Sequence, residues 1–274
     1  MRAASARKPK KTELHTVFFA VGQYLTRPES QTFALSVSTN AVLAFFPFMI
    51  VLMMLIRRVF HSHQMYGVVL QILRDYLPAG QAVVIPALNA LVNARKPVEV
   101  GSLILVFLTA KGVFMPLEVG LNRIWGFSVT RSWLHNQILG ALLAFACGGL
   151  VLLSVALAAS NQYLLAEFFG GRHNPGVKMG AFIVMKIFAA TASTLIFFLI
   201  YWLVPNGKVA AGRVLPAAIL VGMLWELLKF AYIMLLPHLN FQEVYGPFAV
   251  SVSLMFWAYL SGLLLLAGAF VSAE

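Results

Sequence analysis

The chain has 274 residues, of which 61% are hydrophobic and only 11% charged, with a mean hydropathy of +0.86. Soluble domains run at about 45–50% apolar and 25% charged, so a water-soluble fold would lack the polar surface to cover itself. The net charge of +11 does not indicate nucleic-acid binding, because the basic residues are spread over the N-terminal tail and the short connections between apolar runs, the pattern set by anionic lipid headgroups.

Residues 1–11 carry Lys8, Lys10 and Lys11 and form a basic tail with no apolar core and cleavage site behind it, so no cleaved signal peptide is expected. Residues 12–27 place Leu14, Val17, Phe18, Val21 and Leu25 on one helical face. Two readings fit: a helix lying on the membrane surface, or one packed on other protein. Pro28 ends it. The domain division is therefore 1–32, tail and amphipathic helix, and 33–274, a transmembrane domain.

Six apolar runs follow, at about 33–56, 99–119, 137–159, 180–204, 214–236 and 248–271, each near the roughly 20 residues a bilayer core requires. The expected fold is all-α and polytopic: six transmembrane helices, an N-terminal interfacial helix and short helices in the first outer loop. Pro47 should kink the first run and Lys111, Gly112 and Pro116 should make the second irregular, so both are expected as proline-broken helices. The Lys/Arg distribution places both termini in the cytoplasm, although the outer 57–98 loop also carries five basic residues, Arg57, Arg58, Arg74, Arg95 and Lys96. Within that loop Met65, Val68, Val69, Ile72, Leu73, Tyr76 and Leu77 share a helical face, and residues 82–92 form a second apolar stretch, either a capping helix or a re-entrant piece.

Gly140, Ala144 and Gly148 recur every fourth residue, as do Ser154 and Ala158, a spacing that suits close helix packing, inside the bundle rather than at a dimer interface in the preferred reading. Trp125, Trp133, Tyr201, Trp202, Tyr245 and Trp257 lie near run ends, where interfacial aromatics are expected. The single cysteine, Cys147, excludes an internal disulfide and a thiolate metal centre and suits a small packing residue.

Glu226 and Lys229 stand in the middle of the fifth run, three residues apart and so on one face. A charge at the centre of a spanning helix costs about 2.5–3.5 kcal/mol on insertion scales, so such residues face protein or a watery cavity. With Lys111 they are candidates for a polar substrate pathway; the competing reading is a buried ion pair that fixes helix register. Asn122 and Arg123, just inside the inner leaflet, are further pathway candidates, with Asn122 bonding a helix end and Arg123 holding a phosphate or serving as a charged anchor. Lys186 and Glu118 lie close enough to run ends to reach water. His61 and His63 are the only close histidine pair, and no Asp-His follows, so no metal site, cofactor or enzyme activity is expected.

Three blocks together resemble the YihY/BrkB family of bacterial inner-membrane proteins, once labelled ribonuclease BN. They are Ala44 to Pro47, Leu121 to Gly126 with Arg131, and the run from Leu224 to Phe230 continuing through Val244 to Pro247, Trp257 to Leu260 and Gly268-Ala269. The resemblance implies six spanning helices, the bacterial cytoplasmic membrane, and a loose link to serum resistance and to envelope lipid or solute export; Pro47, Pro116 and Gly246 are expected to have structural roles. Thr39-Asn40-Ala41 departs from the aromatic and tyrosine usual early in span one, and the hydrophilic C-terminal segment of many members has no counterpart before Glu274. The resulting expectation is a transporter or handler of an envelope lipid or solute, or else a non-catalytic scaffold of envelope machinery. Its partners would be membrane lipids, anionic headgroups at the cytoplasmic face, and a second copy of the chain or an envelope protein.

Overall fold

The computed structural model describes residues 13–76, 85–86, 88, 90, 96–128, 132–168 and 175–273. The tail 1–11 and most of the 82–92 stretch lie outside the described residues, as do Arg131 and the side chains of Lys111 and Trp133. Among the described residues every regular element is helical: α1 (Glu13–Leu25), α2 (Pro28–Arg58), α3 (His63–Tyr76), α4 (Lys96–Trp125), α5 (Trp133–Phe168), α6 (Pro175–Leu203), α7 (Ala211–Leu239), the short α8 (Phe241–Tyr245) and α9 (Ala249–Ala273).

Five stretches are long and apolar enough to cross a membrane: Pro28–Arg58, Leu134–Leu157, Lys186–Leu203, Ala211–Leu239 and Phe241–Ala273. The sixth expected run, 99–119, lies within the 30-residue α4, which packs in the same bundle. At 1.5 Å per residue the 31 residues of α2 extend about 46 Å, beyond a hydrocarbon core of roughly 30 Å. Its charged ends, Glu29 and the Arg57–Arg58 pair, therefore reach the headgroup layers.

Pro28 opens α2 as the first helical residue, where a missing N–H costs nothing, and Arg27 before it is extended as the residue preceding a proline should be. Pro47 and Pro116 lie inside α2 and α4, and both helices remain single and uninterrupted. This corrects the expectation of broken helices. A proline removes one backbone hydrogen bond, and dense packing of α2 against both α4 and α9 holds the remainder of the helix.

The helices form a ring in which α2 contacts α4, α4 contacts α5, α5 contacts α6, α6 contacts α7, α7 contacts α9, and α9 returns to α2. Two apolar cores fill it. One, at the end where α2 and α7 begin, unites Val37, Leu117, Leu121, Leu143, Tyr201, Val214, Val221, Leu265 and Ala269. The other, at the far end, unites Met49, Met53 and Ile56 of α2 with Met65, Val69 and Leu73 of α3, Leu88, and Val155 of α5. Thus α3 caps the far end with one face of its expected stripe, while Ile72 remains 43% exposed.

Two aromatics expected at the membrane interface belong instead to the interior. Tyr201 is fully buried and its hydroxyl donates to the Leu265 carbonyl at 2.8 Å. Trp257 lies mid-way along α9, with ring centroids 4.9 Å from Trp225 and 4.8 Å from Tyr232. Proximity to the end of an apolar run does not specify which way a ring points, and both side chains lie on the packed faces of their helices. Trp202 and Tyr245 do stay exposed.

Between α7 and α9 the chain turns through Asn240, at φ 40°, and Gly246, at φ 51° and ψ −121°. The second conformation is open to glycine and strained for any residue with a Cβ, which gives Gly246 its structural role.

Candidate functional site

Polar groups meet at two places in the bundle, and an apolar cavity forms a third feature. The first place is mid-height on α7. The Lys229 ammonium donates to Glu226 Oε1 at 2.5 Å, and the Ser193 hydroxyl of α6 donates to the same oxygen at 2.9 Å. The i,i+3 spacing brings the pair together, and the packing of α6 on α7 supplies the serine. Met223, Leu227, Phe230 and Met234 form the exposed lipid-facing stripe of α7, each at least 56% exposed. Glu226 and Lys229 sit on its flank, with side chains 18% and 21% exposed. Behind them Trp225 stands edge-on to Phe197 (5.6 Å, 71°) and packs on Trp257. The arrangement holds a charge pair at membrane depth, mostly covered by protein but not sealed from the lipid side, able to offer one cationic and one anionic contact to an amphipathic ligand.

Lys111, the third residue of the expected pathway, has its side chain outside the described residues. The backbone of α4 at that point packs on α2, where a Cβ at neighbouring Gly112 would collide with the Asn40 side chain. Asn40 itself donates to the Ser36 carbonyl at 2.8 Å, which holds its side chain in the contact between α2 and α4.

The second place is the end of the bundle where α2 begins. Asn122 and Arg123, adjacent in sequence at the end of α4, bind different partners. Asn122 Oδ1 accepts the backbone N–H of Asn206 at 2.7 Å, and the Asn122 carbonyl accepts the Phe127 N–H at 2.8 Å, so this residue fastens two turns. Arg123 Nη2 donates to Glu29 Oε1 at 2.7 Å. Nothing in the sequence pairs these two residues, which are 94 positions apart. Their side chains are 62% and 52% exposed, so the bridge lies in the solvated headgroup layer.

A cleft of about 260 Å³ opens beside this bridge, lined by Tyr24, Arg27, Glu29, Phe33, Arg123, Ile124 and Phe270. Its frame is fixed by local bonds. Ser30 Oγ donates to the Tyr24 carbonyl at 2.8 Å, Gln31 Nε2 to the Leu25 carbonyl at 3.1 Å, and the Tyr259 hydroxyl to Gln31 Oε1 at 2.5 Å. The Tyr24 ring stacks on Phe270 at 4.8 Å. These contacts dock the C-terminal turn of α1 on α9 and α2, whereas Phe19 one and a half turns earlier is 77% exposed, so α1 is held by protein at one end and bare at that position. Burial raises the Tyr24 phenol above its ordinary pKa; a hydrogen bond with Ser30 lowers it, the Glu29 carboxylate raises it, and Arg123 and Arg27 lower it. The ring is therefore neutral at physiological pH.

The third feature is a cavity of about 470 Å³ between α2, α4 and α5, lined by apolar residues including Phe48, Leu52, Leu103, Ile104, Phe145 and Leu152. Ala144 and Gly148 of the small-residue stripe face this space, and a Cβ on Gly148 would meet only the Phe48 ring, at 3.5 Å. At these two positions the stripe makes room beside a ring. Among the described residues no group of His, Cys, Asp or Glu has the geometry to hold a metal ion. His61 is exposed, and its Nδ1 lies 3.2 Å from the Val59 carbonyl.

A ring of long apolar helices with ion pairs inside and at its rim defines a multi-pass membrane protein. The sequence model of the family described as Virulence factor BrkB matches residues 22–274, and the chain belongs to that family. It is 30% identical over 185 residues to a UPF0761 membrane protein of Idiomarina loihiensis, covering 66% of this chain and 62% of the relative. It is 26% identical over 199 residues to one from Chlorobium phaeobacteroides (72% and 43%), and 24% identical over 264 residues to one from Psychrobacter (94% and 48%). The chain thus spans roughly half the length of the curated relatives it matches. No solved structure matches it.

Proposed function

We propose that the protein moves or handles an envelope lipid, or a solute of similar amphipathic character, through a polar site within the bilayer. The observation that carries this reading is the Glu226–Lys229–Ser193 cluster on the flank of a lipid-facing helix stripe. A lone ion pair at that depth is expensive, and its partial accessibility suits a ligand that enters from the lipid side. The apolar cavity between α2, α4 and α5 supports the same reading, since it could receive hydrocarbon. In this reading α4 is a sixth span, the membrane is the bacterial cytoplasmic one, both termini are cytoplasmic, and the protein needs no cofactor and is no enzyme.

The test is reconstitution of the full chain into liposomes bearing fluorescent phospholipids, with redistribution between leaflets followed by quenching from outside. Protein-dependent redistribution that falls in Glu226→Gln and in Lys229→Met is expected. Undiminished redistribution in both variants would discard the polar site.

A second reading is a non-catalytic partner of envelope machinery. It is favoured by the far-end turn, where Val244 (68%), Tyr245 (46%) and Phe248 (71%) are exposed together. Cross-linking in cells should then capture one protein in fixed ratio through that turn.

A further inference from the structure

The cleft between α1, α2, α4 and α9 combines features that the Glu226–Lys229 reading does not use. Two arginines, Arg27 and Arg123, line it against one carboxylate, Glu29, so its lining carries a net positive charge. Its remaining wall is apolar or aromatic: Phe33, Ile124, Phe270 and the neutral Tyr24. The two kinds of lining share one cavity of about 260 Å³, at the end of the bundle where charged helix ends meet the headgroup layer.

The Arg123–Glu29 bridge is more than half exposed on both sides. Bridges of that kind contribute little, because solvent screens them and two side chains must be held in place. Arg123 can therefore be drawn from Glu29 by a stronger anion. Arg27 makes no ion pair among the described residues, and it lines the same cleft. A phosphate diester suits two guanidinium forks, each able to donate two parallel hydrogen bonds. Free phosphate would gain nothing from Phe33, Ile124 and Phe270, whereas the glycerol and upper acyl carbons of a phospholipid would be covered by them.

We infer that the cleft lined by Arg27, Arg123, Phe33 and Phe270 is a binding site for one anionic phospholipid, with the headgroup phosphate between the arginines. Glu29 competes with that phosphate for Arg123. The site is independent of the α7 charge pair, whose residues do not line it.

The test uses the full chain purified in maltoside detergent, with native mass spectrometry counting retained phosphatidylglycerol or phosphatidylcholine added at equal mole fraction. Phosphatidylglycerol should be retained over phosphatidylcholine. The preference should drop by about tenfold in Arg27→Gln/Arg123→Gln, since one charge-assisted hydrogen bond to phosphate is worth at least that factor. Arg27→Lys/Arg123→Lys should keep part of it, and Glu29→Gln should increase retention by freeing Arg123. Inorganic phosphate should not displace the lipid. Equal phosphatidylglycerol retention in the wild type and the double glutamine variant would overturn the proposal, as would inorganic phosphate displacing the lipid. If the double variant does not fold, Glu29→Gln decides: unchanged or weaker lipid retention overturns the site.

Discussion

The backbone N–H of Asn206 donates to the Asn122 side-chain oxygen across 84 residues of sequence, joining the turn after α6 to the end of α4. Both residues are partly buried, so the N–H has little access to water. Asn122→Ala should destabilise the protein by about 1–2 kcal/mol, the cost of leaving such a donor unmet. Asn122→Asp, which keeps an acceptor, should cost less. Thermal unfolding in detergent checks both; an unshifted midpoint in Asn122→Ala would refute the role of this bond.

The Glu226–Lys229 pair should behave as a coupled unit. Each single neutralisation, Glu226→Gln or Lys229→Met, strands the other charge and should cost about 2–3 kcal/mol, below the fully buried range because the pair is partly exposed. The double variant should be more stable than either single one. A double-mutant cycle on unfolding reads the coupling directly. Additive effects would show that the two charges do not depend on one another.

At Gly268 α9 packs closely on α6 and α7, where an added Cβ would overlap Val221 and the Tyr201 hydroxyl. Gly268→Ala should cost about 1–3 kcal/mol through overpacking. Gly149→Ala on α5 meets nothing within 4 Å and should be neutral or slightly stabilising. Parallel unfolding curves separate the two; equal shifts would contradict the packing.

Tyr24 gives a pH signature. Burial raises its folded-state pKa above the ordinary value of 10.0, so the unfolded chain releases this proton first. Its contribution to stability is whole below about pH 10 and is lost as pH climbs past that point. Tyr24→Phe keeps the ring on Phe270 but cannot ionise. The difference in unfolding midpoint between the two proteins should be constant from pH 7 to 9 and should shift in favour of Tyr24→Phe above about pH 10. A difference independent of pH would show that the phenol is not desolvated.

Much of the helix pattern was legible because it depends on local properties. An apolar run of spanning length declares itself, and Pro28 declares where α1 yields to α2. The Glu226–Lys229 pair was legible for the same reason, since both partners lie within one helical turn. What could not be read were relations between distant segments. Nothing near Arg123 points to Glu29, and nothing near Asn122 points to Asn206. The cleft is a product of those relations, because its lining comes from four helices. The inward rotation of Tyr201 and Trp257 was hidden for another reason: in an apolar helix, lipid-facing and protein-facing positions have similar hydropathy, so periodicity weakens. The sequence shows the hydrogen bond lost at Pro47 but not the neighbours that keep α2 a single helix.

The packing of α2 on α9 has a bearing on how the bundle is assembled. The Tyr259–Gln31 contact joins positions 228 residues apart, and Gly262 lies against the Ala34 backbone. At about 5–20 residues per second, α2 emerges roughly 10–45 seconds before its partner has been synthesised. During that interval the Ala34 face of the nascent chain has only lipid or an insertion factor to cover it. Closure of the ring is thus postponed until α9 has been made, and a ribosome stalled before α9 would leave an open bundle for proteases to clear.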